Sequence, residues 1–131
     1  MEEHPPAAAA RRLFDAFEKR DVAAITALIA EDAVWRFPGR RGQIAGEHHG
    51  HAGIMAFLAK VMALTGGTFH LEIEDITASD THSVVLFTGH GERNGKQLNN
   101  PTALSVRIVG GRAVEFQEFV WDMEHAEDFW A

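Results

Sequence analysis

Glu118 is a carboxylate in an apolar row. In the stretch Arg112 to Trp121, side chains alternate across a strand with period two, so Val114, Phe116, Glu118, Val120 and Asp122 share one face. A carboxyl set between Phe116 and Val120 loses hydration, which raises its proton affinity and suits a general acid or base near neutral pH. Tight turns decide its neighbours. If Gly110-Gly111 is a two-residue loop, Val109 pairs with Arg112, Ala103 lies opposite Glu118 and Ser105 opposite Phe116. If Asn94-Gly95 is likewise two-residue, Leu86 faces Ala103, and Thr88 and His90 join the Glu118 face. A slip of one residue reverses that result. The expected catalytic residues are Glu118 with His90, and Asp122 as an alternative acid, with Thr88 and Ser105 as polar neighbours. The competing reading sets Glu118 on an outer face or edge, against a cation or water.

His48, His49 and His51 beside Glu47 raise a metal hypothesis, since imidazole is a common ligand. Neighbouring loop residues seldom converge on one ion, and no HExxH helix is present. They read as solvated loop histidines, with no metal site and no cofactor expected. The chain has no cysteine, which removes thiolate chemistry, disulfides and Cys-based zinc sites. It also has no tyrosine, and so no phenol to hold a developing oxyanion.

These residues need elements to position them. Ala10, Leu13, Phe14 and Phe17 follow the spacing of one helix face, which predicts a first helix ending near Arg20. Asp21 is placed to cap a second helix with the stripe Val22, Ile25, Leu28 and Ile29. From Asp32 the chain reads as extended, with Trp35 and Phe37 on a short strand that Pro38-Gly39 turns into a loop. Ile54, Phe57, Leu58, Val61 and Met62 mark a third helix, closed by Gly66-Gly67. Everything after it reads as strand. Phe69, Leu71 and Ile73 alternate, but the next apolar residue is Ile76, which predicts a bulge near Glu74-Asp75. Ser83–Glu92, Pro101–Val109 and Arg112–Trp121 complete the strands.

Helices first and antiparallel strands last predict an α+β fold, with three N-terminal helices packed over one face of a curved, mainly antiparallel sheet. A cavity is expected beneath them, apolar with a few polar groups. Phe14, Trp35, Phe37, Phe57 and Phe116 are its expected ligand-binding walls; for Trp35 and Phe37 the alternative is plain core. Phe129-Trp130 either closes the cavity mouth or buries against a partner subunit.

A chain of 131 residues, 46% hydrophobic and 24% charged, is expected to form one domain over its whole length, 1–131. Its net charge of −7, with no cluster of Lys or Arg beyond short pairs, argues against nucleic acid as a partner. The N-terminus lacks a basic patch followed by an apolar core, and no apolar run approaches the ~20 residues of a membrane helix. A cytoplasmic protein with no membrane partner is expected.

Three phrases in order carry a family resemblance: Ala30-Glu31-Asp32-Ala33-Val34-Trp35, Gly46-Glu47-His48-His49-Gly50-His51 before Ile54 and Phe57, and Gly111-Arg112-Ala113-Val114-Glu115-Phe116-Gln117-Glu118-Phe119. With the amphipathic opening helix, they make nearly the whole chain resemble the SnoaL-like branch of the nuclear transport factor 2-like (NTF2-like) superfamily. The resemblance implies a conical α+β barrel of cystatin-like type, often a homodimer packed through the sheet. In different relatives its cavity serves isomerases, aldol cyclases, epoxide hydrolases or ligand binding, so fold does not settle reaction.

Compared with ketosteroid isomerase, the general-base Asp is replaced by Phe37 and the tyrosine donors are missing, which disfavours that route. Compared with limonene epoxide hydrolase, the acid of the last strand is similar in position to Glu118, while its central Arg and Asp fall near Thr88 and His90. In SnoaL-like cyclases a late acidic residue moves the proton, a role open to Glu118 or Asp122. The expected function is a cofactor-independent isomerase, cyclase or hydrolase acting on a small apolar substrate. The alternative is a non-catalytic binding protein for a hydrophobic metabolite, and the expected partners are that ligand and a second copy of the chain.

Overall fold

In the computed structural model, which describes residues 3–131, Pro5-Pro6 open α1 (Pro5–Lys19) at the position where a missing N–H costs no helix hydrogen bond. Ala10, Leu13 and Phe14 form its buried stripe, and Arg20 stops it in a left-handed conformation at φ 54°. Asp21 caps α2 (Val22–Leu28) by accepting a hydrogen bond from the Ala24 N–H. The stripe expected to run on to Ile29 ends one residue earlier. Ile29 is already extended and begins β1 (Ile29–Phe37), where a β-branched side chain packs well.

The histidine-rich segment read as loop contains β2 (Gly46–His49), a short polar edge strand paired antiparallel with β1 from Val34↔His49 to Phe37↔Gly46. α3 (Gly50–Leu64) buries Ile54, Phe57 and Val61, and the chain leaves it through Gly66 and Gly67, both at positive φ. Four long strands follow: β3 (His70–Ala78), β4 (His82–Arg93), β5 (Lys96–Val109) and β6 (Arg112–Val120). The six-stranded sheet has the order β2-β1-β6-β5-β4-β3, and only the β1–β6 pair is parallel. This is the expected α+β arrangement of helices against a curved, mainly antiparallel sheet.

A fourth helix, α4 (Met123–Trp130), follows the last strand where none was expected. Asp122 caps it by accepting from the His125 N–H. Phe129 and Trp130 are buried within their own chain, and the Arg93 guanidinium donates to the carbonyls of Phe129 and Ala131. Since this chain alone covers both rings, the reading in which Phe129-Trp130 buries against a partner subunit is overturned.

The bulge expected near Glu74-Asp75 is present, as a register shift between Ile73 and Asp75. Both glycine turns are two-residue, giving Arg93↔Lys96 and Val109↔Arg112, and Leu86 pairs with Ala103 as counted. A second shift, between Arg107 and Ile108, breaks the rest of the count. Arg107 pairs with Glu115 but Ile108 with Ala113, so Val114 is the extra residue. Glu118 therefore lies opposite Leu104 rather than Ala103, and Phe116 opposite Val106 rather than Ser105. One residue of slip turns every side chain over. Leu86, Thr88, His90 and Ser105 leave the Glu118 face, and Val85, Phe87, Gly89 and Leu104 take their places.

Among the described residues, no helix is long and apolar enough to cross a membrane.

Candidate functional site

The concave face of the sheet and the helices above it enclose a cavity of about 550 Å³. Its walls are mostly aromatic and aliphatic, in the size range of small-molecule sites. Phe14 enters from α1, Phe57 from α3, Trp35 and Phe37 from β1, Phe87 from β4 and Glu118 from β6. Five of the residues expected to form the site thus meet there: Phe14, Trp35, Phe37, Phe57 and Glu118.

The parallel register sets Trp35 beside Phe116, and the two rings stack at 4.2 Å with an interplanar angle of 11°. Phe116 is fully buried and acts as a backing for Trp35 rather than as wall. With its ring held, Trp35 aims its Nε1–H at Glu118 and donates to Oε2 at 2.7 Å. Phe17 and Phe57 close round the other sides of the indole at 5.9 and 5.3 Å. His48 stacks on the Phe57 ring at 4.4 Å.

Glu118 is 8% exposed. Burial pushes its carboxyl up to about 7, against the opposing effect of the Trp35 hydrogen bond, which favours the ionised form. Near neutral pH both protonation states are populated. That is the condition for a group that gives and takes a proton in one cycle. The Trp35 indole is the single hydrogen-bond partner of this carboxyl among the described residues, which leaves Oε1 available to a ligand.

The other expected catalytic residues are elsewhere. His90 lies on the opposite face of the sheet because of the Val114 bulge; its Nε2 is 3.3 Å from Glu72 Oε1, and its ring stacks on His70 at 5.0 Å. Thr88 and Ser105 share that opposite face, and neither lines the cavity. Asp122 is past the end of β6, committed to the cap of α4. The histidine segment does not converge. His48 and His51 bond to the backbone carbonyls of Ile44 and Ile29 at 2.8 and 2.7 Å, and His49 meets Glu47 at 3.2 Å. No group of three or more potential metal ligands occurs among the described residues.

Asn100 and Leu104 line the cavity without being expected there, and Trp130 lines it in keeping with the reading that set Phe129-Trp130 at the cavity. A strand predicted only from Pro101 leaves Asn100 out, although β5 begins at Lys96 and Leu98, Asn100, Thr102 and Leu104 keep a period of two. The signal for Trp130 was the cap Asp122 followed by the helical spacing Ala126, Phe129, Trp130.

Residues 10–116 match the family described as a SnoaL-like domain; the matched stretch stops at Phe116, just before Glu118. The uncharacterised protein Rv0034 of Mycobacterium tuberculosis is 32% identical over 122 residues, covering 92% of each chain. Among solved structures, Bal32a from a soil-derived mobile gene cassette superposes with a TM-score of 0.92 at 30% identity, covering 97% of both chains. Rv0760c of Mycobacterium tuberculosis, solved in complex with estradiol-17beta-hemisuccinate, shares the fold with a TM-score of 0.75 at 15% identity, over 94% of this chain and 98% of that one. NTF2-like proteins from Burkholderia and Anabaena share it too.

Proposed function

The chain belongs to the SnoaL-like family of the NTF2-like superfamily, and from that premise we propose that it is a cofactor-independent enzyme in which Glu118 moves a proton on a small apolar carbonyl or epoxide compound. The observation that carries this reading is a buried carboxyl with one oxygen held by Trp35 and the other unpartnered, in an apolar cavity of about 550 Å³. A fixed acid of this kind acts by geometry: it sits within hydrogen-bond reach of whatever oxygen or carbon the cavity presents to it. The apolar walls exclude water, which keeps the carboxyl's proton affinity high until a ligand binds.

Proton transfer is testable without knowing the product. Incubation of the purified protein with α-tetralone in deuterated buffer is expected to exchange the protons next to the carbonyl, followed by NMR. Glu118→Gln is expected to abolish the exchange while leaving the circular dichroism spectrum unchanged. Exchange at the wild-type rate in Glu118→Gln removes Glu118 from the reaction.

A second reading, capture of a hydrophobic metabolite without turnover, is favoured by the outward position of His90, which leaves Glu118 without the imidazole partner expected of it. The structure of Rv0760c with a steroid ester supports ligand capture by this fold. Recovery of a bound compound unaltered after long incubation selects this reading over the first.

The outer face of the sheet supports a homodimer. Leu86, Ala103 and Phe119 lie in one row across β4, β5 and β6, and Leu86, Phe119 and Trp121 are exposed. Large apolar side chains gathered on one face mark an association surface, and a second copy of the chain is the proposed occupant.

A further inference from the structure

Glu118 Oε1 has no hydrogen-bond partner among the described residues, and it is not closed off. The unpartnered side-chain atoms that packing seals completely are Ser83 Oγ, Asn100 Oδ1 and Trp130 Nε1; Glu118 Oε1 is outside that set and keeps an open surface. Glu118 lines the cavity and is otherwise buried, so that surface opens into the cavity. An open acceptor among apolar walls is a place for a donor from outside.

The charge around it is one-sided. Burial and the Trp35 hydrogen bond act on its proton, and no Lys, Arg or His among the described residues does. Three other ionisable residues line the cavity, Glu18 and Arg20 at the end of α1 and His70 at the start of β3, and all three are exposed. The ionised form of Glu118 thus has a neutral hydrogen bond but no counter-ion. The rings near it are Trp35, with Phe57 and Phe17 at 5.3 and 5.9 Å from the indole, and all three line the cavity. Ring faces carry negative charge and attract a cation, which an aliphatic wall does not. The net charge of the chain, −7, acts in the same sense by drawing cations toward the protein.

Near neutral pH the cavity therefore meets ligands in two forms. The protonated carboxyl offers an O–H to a carbonyl or epoxide oxygen, the form used in the proton-transfer reading. The ionised carboxyl offers an acceptor with an uncompensated charge, and its complement is a cation that can donate. We propose that the cavity takes a second class of ligand, a protonated amine on an apolar body, whose N–H donates to Glu118 Oε1 and whose charge lies against the Trp35, Phe57 and Phe17 rings. An ion pair out of water offsets its lost hydration only when the remaining lone pairs are also satisfied, and the Trp35 N–H already does this for Oε2. Such a ligand displaces the Glu118 proton to solvent and blocks proton transfer while it is bound. The proposal rests on Glu118 as the group that ligands meet, and not on its moving a proton.

Calorimetry on the full chain with 4-phenylbutylamine and 4-phenylbutan-1-ol measures this directly. The amine is protonated throughout the range used, as a lysine side chain is. At pH 8 it is expected to bind at least tenfold more tightly than the alcohol. Its affinity is expected to rise about tenfold from pH 6 to pH 8 as the carboxyl ionises, while that of the alcohol does not rise. Repeating the pH 6 titration in buffers of different ionisation enthalpy is expected to show release of nearly one proton per amine bound, a readout that needs no variant. Glu118→Gln is expected to remove both the preference for the amine and its pH dependence. Amine binding at pH 8 that is absent or no tighter than the alcohol's, or no proton release at pH 6, overturns the proposal. So does a pH dependence that survives in Glu118→Gln, which assigns it to His70. An amine affinity that falls in Glu18→Gln but not in Glu118→Gln sets the ammonium at the exposed end of α1 and overturns it too. α-Tetralone exchange separates this proposal from the proton-transfer reading. Exchange in a protein indifferent to the amine leaves that reading standing and removes the second ligand class; amine binding of the expected kind in a protein without exchange does the reverse.

Discussion

The Trp35 indole and the Glu118 carboxyl, far apart in sequence, meet at 2.7 Å because β1 and β6 run parallel side by side. The donor and the burial act in opposite senses on the same proton. Burial disfavours the carboxylate and is the stronger effect, so the group titrates at about 7 rather than near 4.5.

That displacement fixes a pH dependence of stability. Between about 4.5 and 7 the folded chain holds a proton on Glu118 that the unfolded chain has released. Stability from this group is therefore complete below the unfolded value and is lost as pH rises through the folded one. Glu118→Gln, which stays neutral, is expected to match wild type near pH 4 and to exceed it above pH 8 by on the order of 3 kcal/mol. Urea denaturation at a series of pH values measures the gap. A constant difference across the series would falsify the assignment of a proton to Glu118 in the fold.

Trp35→Phe keeps a ring over Phe116 but removes the N–H that favours the ionised carboxyl. The titration midpoint of Glu118 is expected to move to still higher pH. Carbon NMR of protein labelled at glutamate carboxyls reads the midpoint, and a downward move contradicts the balance of effects described above.

Asp122→Ala tests whether Asp122 acts as more than a cap. Loss of its bond to the His125 N–H is expected to lower stability by about 1 kcal/mol, the usual value of an N-cap. Ketone proton exchange by Glu118 is expected to continue at the wild-type rate. An exchange-dead but folded Asp122→Ala protein reassigns the working acid.

Phe119→Glu on β6 and Trp121→Glu just past its end place charge on exposed surface without entering the cavity. Each is expected to convert a dimer to a monomer of 14.4 kDa in analytical ultracentrifugation. A wild-type protein that already sediments as a monomer removes the second copy from the outer face.

Most of the scaffold was legible in the sequence because its signals are local. The stripe of Leu13, Phe14 and Phe17, the Asp21 cap and the left-handed turn residues Asn94-Gly95 and Gly110-Gly111 act over a few residues, and the structure follows them. Glu118 was legible for the same reason, as an acid in an apolar alternation. Its companions were not. The Val114 bulge leaves no local mark, because valine suits a regular strand as well as an irregular one, and a single extra residue exchanges His90 for Gly89 and Thr88 for Phe87 on the cavity face. The stacking of Trp35 on Phe116 was hidden by distance: parallel pairing of strands so remote in sequence is dictated by how the whole sheet closes.

The adjacency of β1 and β6 also orders the events of synthesis. Five strands and three helices can leave the ribosome and still have no finished pocket, since the strand that fills the gap between β1 and β5 is β6 itself. Contacts of such high sequence separation slow folding, because a long loop must close before they form. Until β6 docks, β1 has no strand beside it in the sheet but its short partner β2, and Trp35 has neither the Phe116 ring nor its carboxyl. A chain cut short before residue 112 therefore loses the Glu118 carboxyl and the central seam of the sheet together.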